Sequence, residues 1–256
     1  MYIDETYYNN GYMDEVEADD LSLDSFRVQD ELHPKIWPNG KVNSEVRKRL
    51  LDIAQDFIDG LEIRWTKPKD IIFTGSLANY NWSEYSDIDL HIIMDFSELH
   101  EDTELLEDYF KAKKDLWNEE HEDLTIYGFP VEVYVEDASV GSQSSGKFSL
   151  IHNEWVVEPK DLSDAELNER YIKEESAKIM TKIEDLEDSE EDSEIVYKKA
   201  ERLFEYMKDI RKAGLESESK EMSSGNIIWK LIRREGYIDR LCDLITGSYD
   251  KMRSIF

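Results

Sequence analysis

The sequence predicts an α/β (α+β) fold: a core built on a short mixed β-sheet, followed by a C-terminal α-helical domain. Three observations lead there. Short runs of alternating or apolar residues, bounded by turn residues, recur between residues 70 and 157. Helical periodicity flanks them and takes over completely from about residue 160. Between the first two strand-like runs, the segment IIFTGSLANYNWSEYSDIDLHII joins an apolar strand, a Gly-Ser turn and a second strand carrying two acids one residue apart. A period of two marks a half-buried strand, and a period near 3.6 marks an amphipathic helix. The expected division is an acidic flexible N-terminal arm over 1–33, the α/β core over 34–158 and the helical domain over 159–256.

Taken in order, residues 1–33 show neither period and hold ten acids against the single base Arg27, so they read as a solvated arm. Tyr2, Tyr7, Tyr8 and Tyr12 give it aromatic groups with which to dock on the body or on a partner. Leu32 to Gly40 contains Pro34 and Pro38 and reads as a rigid lead-in turn. Asn43 or Ser44 then caps a helix that runs to Gly60, with Val46, Leu50, Ile53, Ala54, Phe57 and Ile58 on one face. Strands are expected at Asp70–Phe73 and Asp87–Met94, and a helix at Asp102–Glu120. Leu124–Tyr127 and Val131–Val135 read as strands on either side of a Gly128-Phe129-Pro130 turn. Lys147–Ile151 and Glu154–Val157 read as a hairpin, preceded by a loop over Ser142-Gln143-Ser144-Ser145-Gly146 that is either a lid or a plain connection. Helices follow over Asp161–Asp188, Ser193–Ala213 and Ser224–Phe256, the first two separated by an acidic exposed turn.

Composition limits the partners. The 256 residues are 40% hydrophobic, enough for a real core. Asp and Glu number 60 against 31 Lys and Arg, a formal net charge of −29, and the chain stays acidic without the arm. Such a surface repels long DNA or RNA, whose binding depends on cations that neutralise phosphates, and attracts cationic groups. Cys242 is the only cysteine, which fits a reducing, cytoplasmic setting. Neither a charged-then-apolar leader nor an apolar run of about 18 residues is present, so neither secretion nor a membrane partner is expected.

The chemistry is concentrated in two strands. Along Asp87–Met94, Asp87, Asp89 and His91 share one face, and Ile88, Leu90 and Ile92 share the other. Along Val131–Val135, the three valines face one way, and Glu132 and Tyr134 face the other. If the strands are neighbours, they bury aliphatics on one side and present Asp87, Asp89 and Glu132 together on the opposite side. Three such carboxylates repel one another unless a cation sits among them. Ligands that are all oxygen select hard Mg²⁺ or Mn²⁺ over zinc. Carboxylates and triphosphate oxygens sharing two such ions suit an in-line displacement at phosphorus. Gly75 allows close backbone approach, and Ser76 with the following N–H groups can hydrogen-bond phosphates, with Ser83 and Ser86 as weaker helpers.

The pattern apolar-Gly75-Ser76, a spacer, then Tyr85-Ser86-Asp87-Ile88-Asp89-Leu90 resembles the DNA polymerase β-like nucleotidyltransferase superfamily. It is most like the antibiotic and small predicted nucleotidyltransferases of that group. The motif-bearing resemblance covers roughly residues 44–157. Less specifically, Pro34-Lys35-Ile36-Trp37 and Ser145–Trp155 look similar to nucleotidyltransferases carried by tailed phages. By this resemblance Gly75 and Ser76 match the phosphate-binding pair, with Ser86 beside them. Asp87 and Asp89 match the paired metal ligands, and Glu132 matches the third carboxylate. The resemblance implies Mg²⁺- or Mn²⁺-dependent transfer of an NMP from an NTP to a hydroxyl, with release of pyrophosphate. A small molecule or protein is the favoured acceptor on charge grounds, with an RNA or tRNA 3′ end as the other candidate. The competing reading is a non-catalytic acidic protein that uses the same fold to bind a basic partner.

Secondary candidates carry blander expectations. His91 reads as a strand residue with a hydrogen-bond partner more readily than as a pocket residue. Lys198, Lys199, Arg202, Lys208, Arg211 and Lys212, and then Lys230, Arg233, Arg234 and Arg240, read mostly as solvated or ion-paired helix faces, although one or two could grip a triphosphate. Trp155 and Trp229 read as core residues.

Overall fold

The computed structural model describes residues 16–63, 65–140, 145–162 and 166–255. The described residues divide into two compact units at 23/24 and at 164/165. Residues 1–15, with Tyr2, Tyr7, Tyr8 and Tyr12, lie outside the description, as do Ser142, Gln143 and Ser144 of the loop expected to be a lid or connection.

The first unit is the α/β core. It runs α1 (Ser44–Gly60), β1 (Asp70–Thr74), β2 (Ile88–Met94), α2 (Phe96–Leu99), α3 (Thr103–Glu120), β3 (Thr125–Ile126), β4 (Phe129–Asp137), β5 (Lys147–Ser149) and β6 (Glu154–Val157). The six strands form one sheet in the order β3-β4-β2-β1-β5-β6. Only β2 and β4 pair in parallel; the other neighbours are antiparallel, so the sheet is mixed as expected. Parallel strands need a crossover, and α2 and α3 supply it.

Asn43 caps α1 by accepting from the Glu45 N–H at 2.9 Å. The helix then buries Val46, Leu50, Ile53, Ala54 and Phe57, the stripe its period predicts. That stripe meets Ile88, Leu90 and Ile92 of β2, Val131 and Val133 of β4, and Phe110 of α3 in one core. The lead-in turn belongs to the same core: Ile36 and Trp37 are buried, and Trp37 stacks on Phe73 and Trp155 at 5.5 and 4.6 Å between ring centroids. Trp155, read from the sequence as a core residue, is half-buried and packs against the core.

Several boundaries differ from the sequence expectation. The β3–β4 turn is Tyr127-Gly128, with φ of 55° and 91°, not Gly128-Phe129-Pro130. Positive φ at both central residues matches strand twist in a two-residue hairpin, and this frees Phe129 and Pro130 to enter β4. The short α2 follows from Asp95, whose carboxylate accepts from the Ser97 N–H at 3.1 Å. Residues 24–33, expected to be part of a flexible arm, pack on the core. Gln29 N–H donates to Tyr80 O at 2.7 Å, and Trp82 Nε1–H donates to Glu31 O at 2.8 Å. The His33 ring sits edge-on to Trp82 and Phe129 at 4.6 and 4.9 Å.

The second unit contains α4 (Glu169–Glu187), α5 (Ser193–Glu216), α6 (Ser224–Arg234) and α7 (Tyr237–Arg253). Its interior holds Ile172, Ile179, Met180, Ile183, Leu203, Met207, Ile228, Leu231 and Leu241. Trp229 is also buried there, as expected of a core residue. The first helix starts at Glu169, later than expected, because Asn168 caps it through Tyr171 N–H at 3.2 Å. The single expected helix over Ser224–Phe256 breaks at Gly236, whose φ of 80° ends one helix and starts the next; Phe256 itself lies outside the description. Residues 16–23 belong to this unit: Leu21 and Leu23 are buried, and Arg234 Nη2 donates to Ser22 O at 2.7 Å. Among the described residues no helix is long and apolar enough to cross a membrane.

Candidate active site

The site grows out of the strand register. Asp89 on β2 lies opposite Thr74 of β1 on one side and opposite Glu132 of β4 on the other. Alternation puts Ile88, Leu90, Val131 and Val133 into the core, so Asp89 and Glu132 emerge together on the other face. Asp87 stands just before the first residue of β2. Among the described residues, Asp87, Asp89 and Glu132 form a group able to hold a metal ion: one carboxylate oxygen from each lies within 4.8 Å of the others, and all three side chains are half-buried. The donor set fits a hard divalent cation, because it is all oxygen and anionic and is gathered against its own repulsion.

Gly75 has a more specific duty than general openness. Its φ of 79° and ψ of −167° form a combination that side-chain-bearing residues strongly disfavour. A Cβ placed there would meet Asp89 Oδ2 at 1.7 Å. The missing side chain is therefore the space in which the Asp89 carboxylate sits. Ser76 opens a single 3-10 turn, Ser76–Ala78, and its Oγ shares a 2.7 Å hydrogen bond with Ser86 Oγ. Ser86 is buried, and its Oγ also accepts from Ser83 N–H at 3.0 Å. The Ser76–Ser86 bond thus ties the Gly-Ser turn to the residue before Asp87.

Residues that sequence reasoning passed over hold this turn in place. Buried Asn79 donates from Nδ2 to Gly75 O at 2.9 Å, and its Oδ1 accepts from Ser145 Oγ at 2.9 Å. Thr74 Oγ1 donates to Gly146 O at 2.7 Å. A Cβ on Gly146 would strike Ala78 O at 2.1 Å, so the described end of the Ser142–Gly146 loop is packed tightly on the turn. Below it, buried Trp37 donates its indole N–H to Leu77 O at 2.7 Å. The polar stretch Asn79-Tyr80-Asn81 was the only available signal for Asn79, and such residues are usual in turns.

His91 and Tyr134 also lie on the carboxylate face. The Tyr134 hydroxyl donates to Glu132 Oε2. Burial, then the charges of Glu132, Asp89 and Asp87, raises the Tyr134 hydroxyl far above the ordinary phenol range, so it stays a donor. His91 has an acidic neighbour on the adjacent strand, with Nδ1 2.9 Å from Glu136 Oε1. Burial opposes ionisation of Glu136, but the bond and charge of His91, with Lys147, outweigh it and hold the carboxyl below its usual range.

Five of the basic residues singled out in the helical unit meet acidic partners. Lys198 meets Glu194 at 2.5 Å, Lys199 meets Glu191 at 2.5 Å and Lys208 meets Glu205 at 2.6 Å. Arg240 bonds Glu187, and Arg234 meets Glu235 at 3.0 Å.

Residues 54–151 match the family model described as a nucleotidyltransferase domain. The matched segment contains Gly75, Ser76, Ser86, Asp87, Asp89 and Glu132 and stops before the helical unit. No curated protein and no solved structure matches the chain. An apolar strand into Gly-Ser, an Asp-x-Asp strand beside it, a parallel strand bearing Glu132 and the family match over the same residues agree: the segment 54–151 is a nucleotidyltransferase domain of the DNA polymerase β-like superfamily.

Proposed function

We propose that the protein transfers a nucleoside monophosphate from an NTP to a hydroxyl acceptor and releases pyrophosphate, with Mg²⁺ or Mn²⁺ held by Asp87, Asp89 and Glu132. The observation that carries this reading is the convergence of one oxygen from each carboxylate to within 4.8 Å. A bound divalent cation would lower the pKa of the acceptor hydroxyl and offset charge on the triphosphate. The chain's own residues bind and orient. Gly75 leaves room for Asp89, Ser76 and the N–H groups after it hydrogen-bond the phosphates, and Ser86 keeps Ser76 in place. Catalysis by positioning and charge neutralisation requires no side-chain nucleophile.

The acceptor proposed is a small-molecule or protein hydroxyl in the cytoplasm. The net charge of −29 supports it over long nucleic acid. So does the pairing of Lys198, Lys199, Lys208, Arg234 and Arg240 with glutamates, which leaves these cations less able to form a groove for RNA.

The test is pyrophosphate release from each of the four NTPs with Mg²⁺ or Mn²⁺, alone and with cell lysate as acceptor source. Release that EDTA stops and that both Asp87→Ala and Asp89→Ala abolish, with the fold intact by circular dichroism, is the expected result. Near-wild-type release from either variant would remove the site assignment.

A further inference from the structure

A row of side chains leads away from the three carboxylates along the face of β2 and β4. The parallel register sets Asp89 opposite Glu132, His91 opposite Tyr134 and Ile93 opposite Glu136. Tyr134 is two residues beyond Glu132, so both side chains leave β4 on one face, and the Tyr134 hydroxyl donates back to Glu132 Oε2. The Tyr134 ring is held from two directions. His91 stacks on it, with centroids 4.8 Å apart and planes 29° apart, and Lys114 Nζ of α3 lies 4.9 Å from its centroid. His91 is itself placed by Glu136, 2.9 Å from its Nδ1, and by Ile72 of β1, its partner on the other side.

Of the three carboxylates, Glu132 carries the longest side chain and the most torsional freedom, and a glutamate's last torsion is broad. Mutual repulsion would drive such a group out of the cluster. An O–H donor on one oxygen opposes that swing and leaves capacity on the carboxylate for a cation, since an ionised carboxylate offers about four lone-pair sites.

We propose that Tyr134 is a positioning residue that fixes the Glu132 carboxylate in its place beside Asp87 and Asp89, with His91 as the support that keeps Tyr134 upright. This rests on the reading of those three carboxylates as a divalent-cation site. Tyr134 touches neither substrate nor cation; it acts through Glu132. The site is then preset rather than assembled by the arriving ion.

The experiment is a binding measurement. Free Mn²⁺ is followed by electron paramagnetic resonance in the presence of an NTP analogue with an unreactive α,β-bridge. The proteins are wild type, Tyr134→Phe, Glu132→Ala, the double variant, and Asp87→Ala/Asp89→Ala. Tyr134→Phe keeps the ring and its packing, and it should weaken Mn²⁺ binding on the order of tenfold, as losses of groups that orient a ligand do. On the Glu132→Ala background the same change should do nothing beyond about twofold, the scatter of independent sites. His91→Asn, which leaves the hydroxyl but removes the ring behind it, should give a smaller loss that also vanishes without Glu132. Wild-type Mn²⁺ affinity in Tyr134→Phe, or an undiminished loss when Glu132 is already gone, overturns the positioning role. If Asp87→Ala/Asp89→Ala binds Mn²⁺ like wild type, the cation site itself is refuted. If that variant loses binding and Tyr134→Phe does not, only the role of Tyr134 falls.

Discussion

Replacing Gly75 by alanine perturbs the site in two ways that can be measured separately. The backbone conformation there, φ 79° and ψ −167°, is one that costs a residue with a Cβ about 1–3 kcal/mol. The new Cβ would also lie 1.7 Å from Asp89 Oδ2, and real contacts begin near 3.0 Å. The carboxylate must therefore retreat by more than 1 Å, a displacement that in a positioned site costs about 100-fold in rate, or about 2.7 kcal/mol. Gly128 supplies the control. Its φ of 91° is also one that alanine rarely adopts, but a Cβ there meets nothing within 4 Å. Thermal unfolding should show both variants destabilised by backbone strain, Gly75→Ala more so. Pyrophosphate release should fall about 100-fold in Gly75→Ala and stay near wild type in Gly128→Ala. Adding Asp89→Ala to Gly75→Ala should recover part of the stability, because the clash has lost its partner. Unimpaired release by Gly75→Ala, or an equal loss in both glycine variants, would show that the space above Gly75 does not matter to Asp89.

Three further outcomes are expected. Ser76→Ala should weaken NTP binding by about 1.5 kcal/mol, roughly tenfold, for a lost bond to a charged phosphate, and a calorimetric titration with unchanged affinity would remove Ser76 from the phosphate site. Gly225→Val should destabilise the helical unit by about 1–3 kcal/mol, because a Cβ there would lie 2.2 Å from the Ile210 carbonyl oxygen, a backbone atom that cannot turn aside; Gly60→Ala, with nothing within 4 Å of its Cβ, is the control, and equal melting shifts would refute the close approach. Burial, with Lys35 nearby, holds His33 below its usual value of 6.5, so the fold prefers the neutral ring. Its contribution is therefore complete above about pH 6.5 and lost as pH falls from there through the lowered value; the stability of wild type relative to His33→Phe should decline over that window, and a difference that does not change with pH would contradict it.

The gathering of the three carboxylates on one face was legible because it is periodic. Alternation along Asp87–Met94 and Val131–Val135 sorted carboxylates from aliphatics before any neighbour was known, and the cap and stripe of α1 fixed its ends. The elements that hold the turn were not legible, because they are joined across long stretches of chain. Trp37 reaches Leu77 over 40 residues, Ser145 reaches Asn79 over 66 and Thr74 reaches Gly146 over 72. Nothing local in those residues names its partner. Residues 24–33 misled for a related reason: acidic, aperiodic composition reads as a solvated arm, yet Gln29, Glu31 and His33 find the backbone and ring of Trp82 and its neighbours. The break at Gly236 could have been suspected from glycine alone, but Gly214 and Gly225 lie inside helices, where small size serves close packing instead.

The parallel pairing of β2 and β4 also governs when the site comes into being. Strands joined by a tight hairpin can meet as soon as both are made, but these two cannot meet until α2 and α3 have folded back across the sheet. A chain emerging from the ribosome therefore holds the Gly-Ser turn and both aspartates well before it can set Glu132 beside them. On the reading proposed here, an unfinished protein lacks its third carboxylate through topology alone, and transfer waits for the long-range closure that also completes the core.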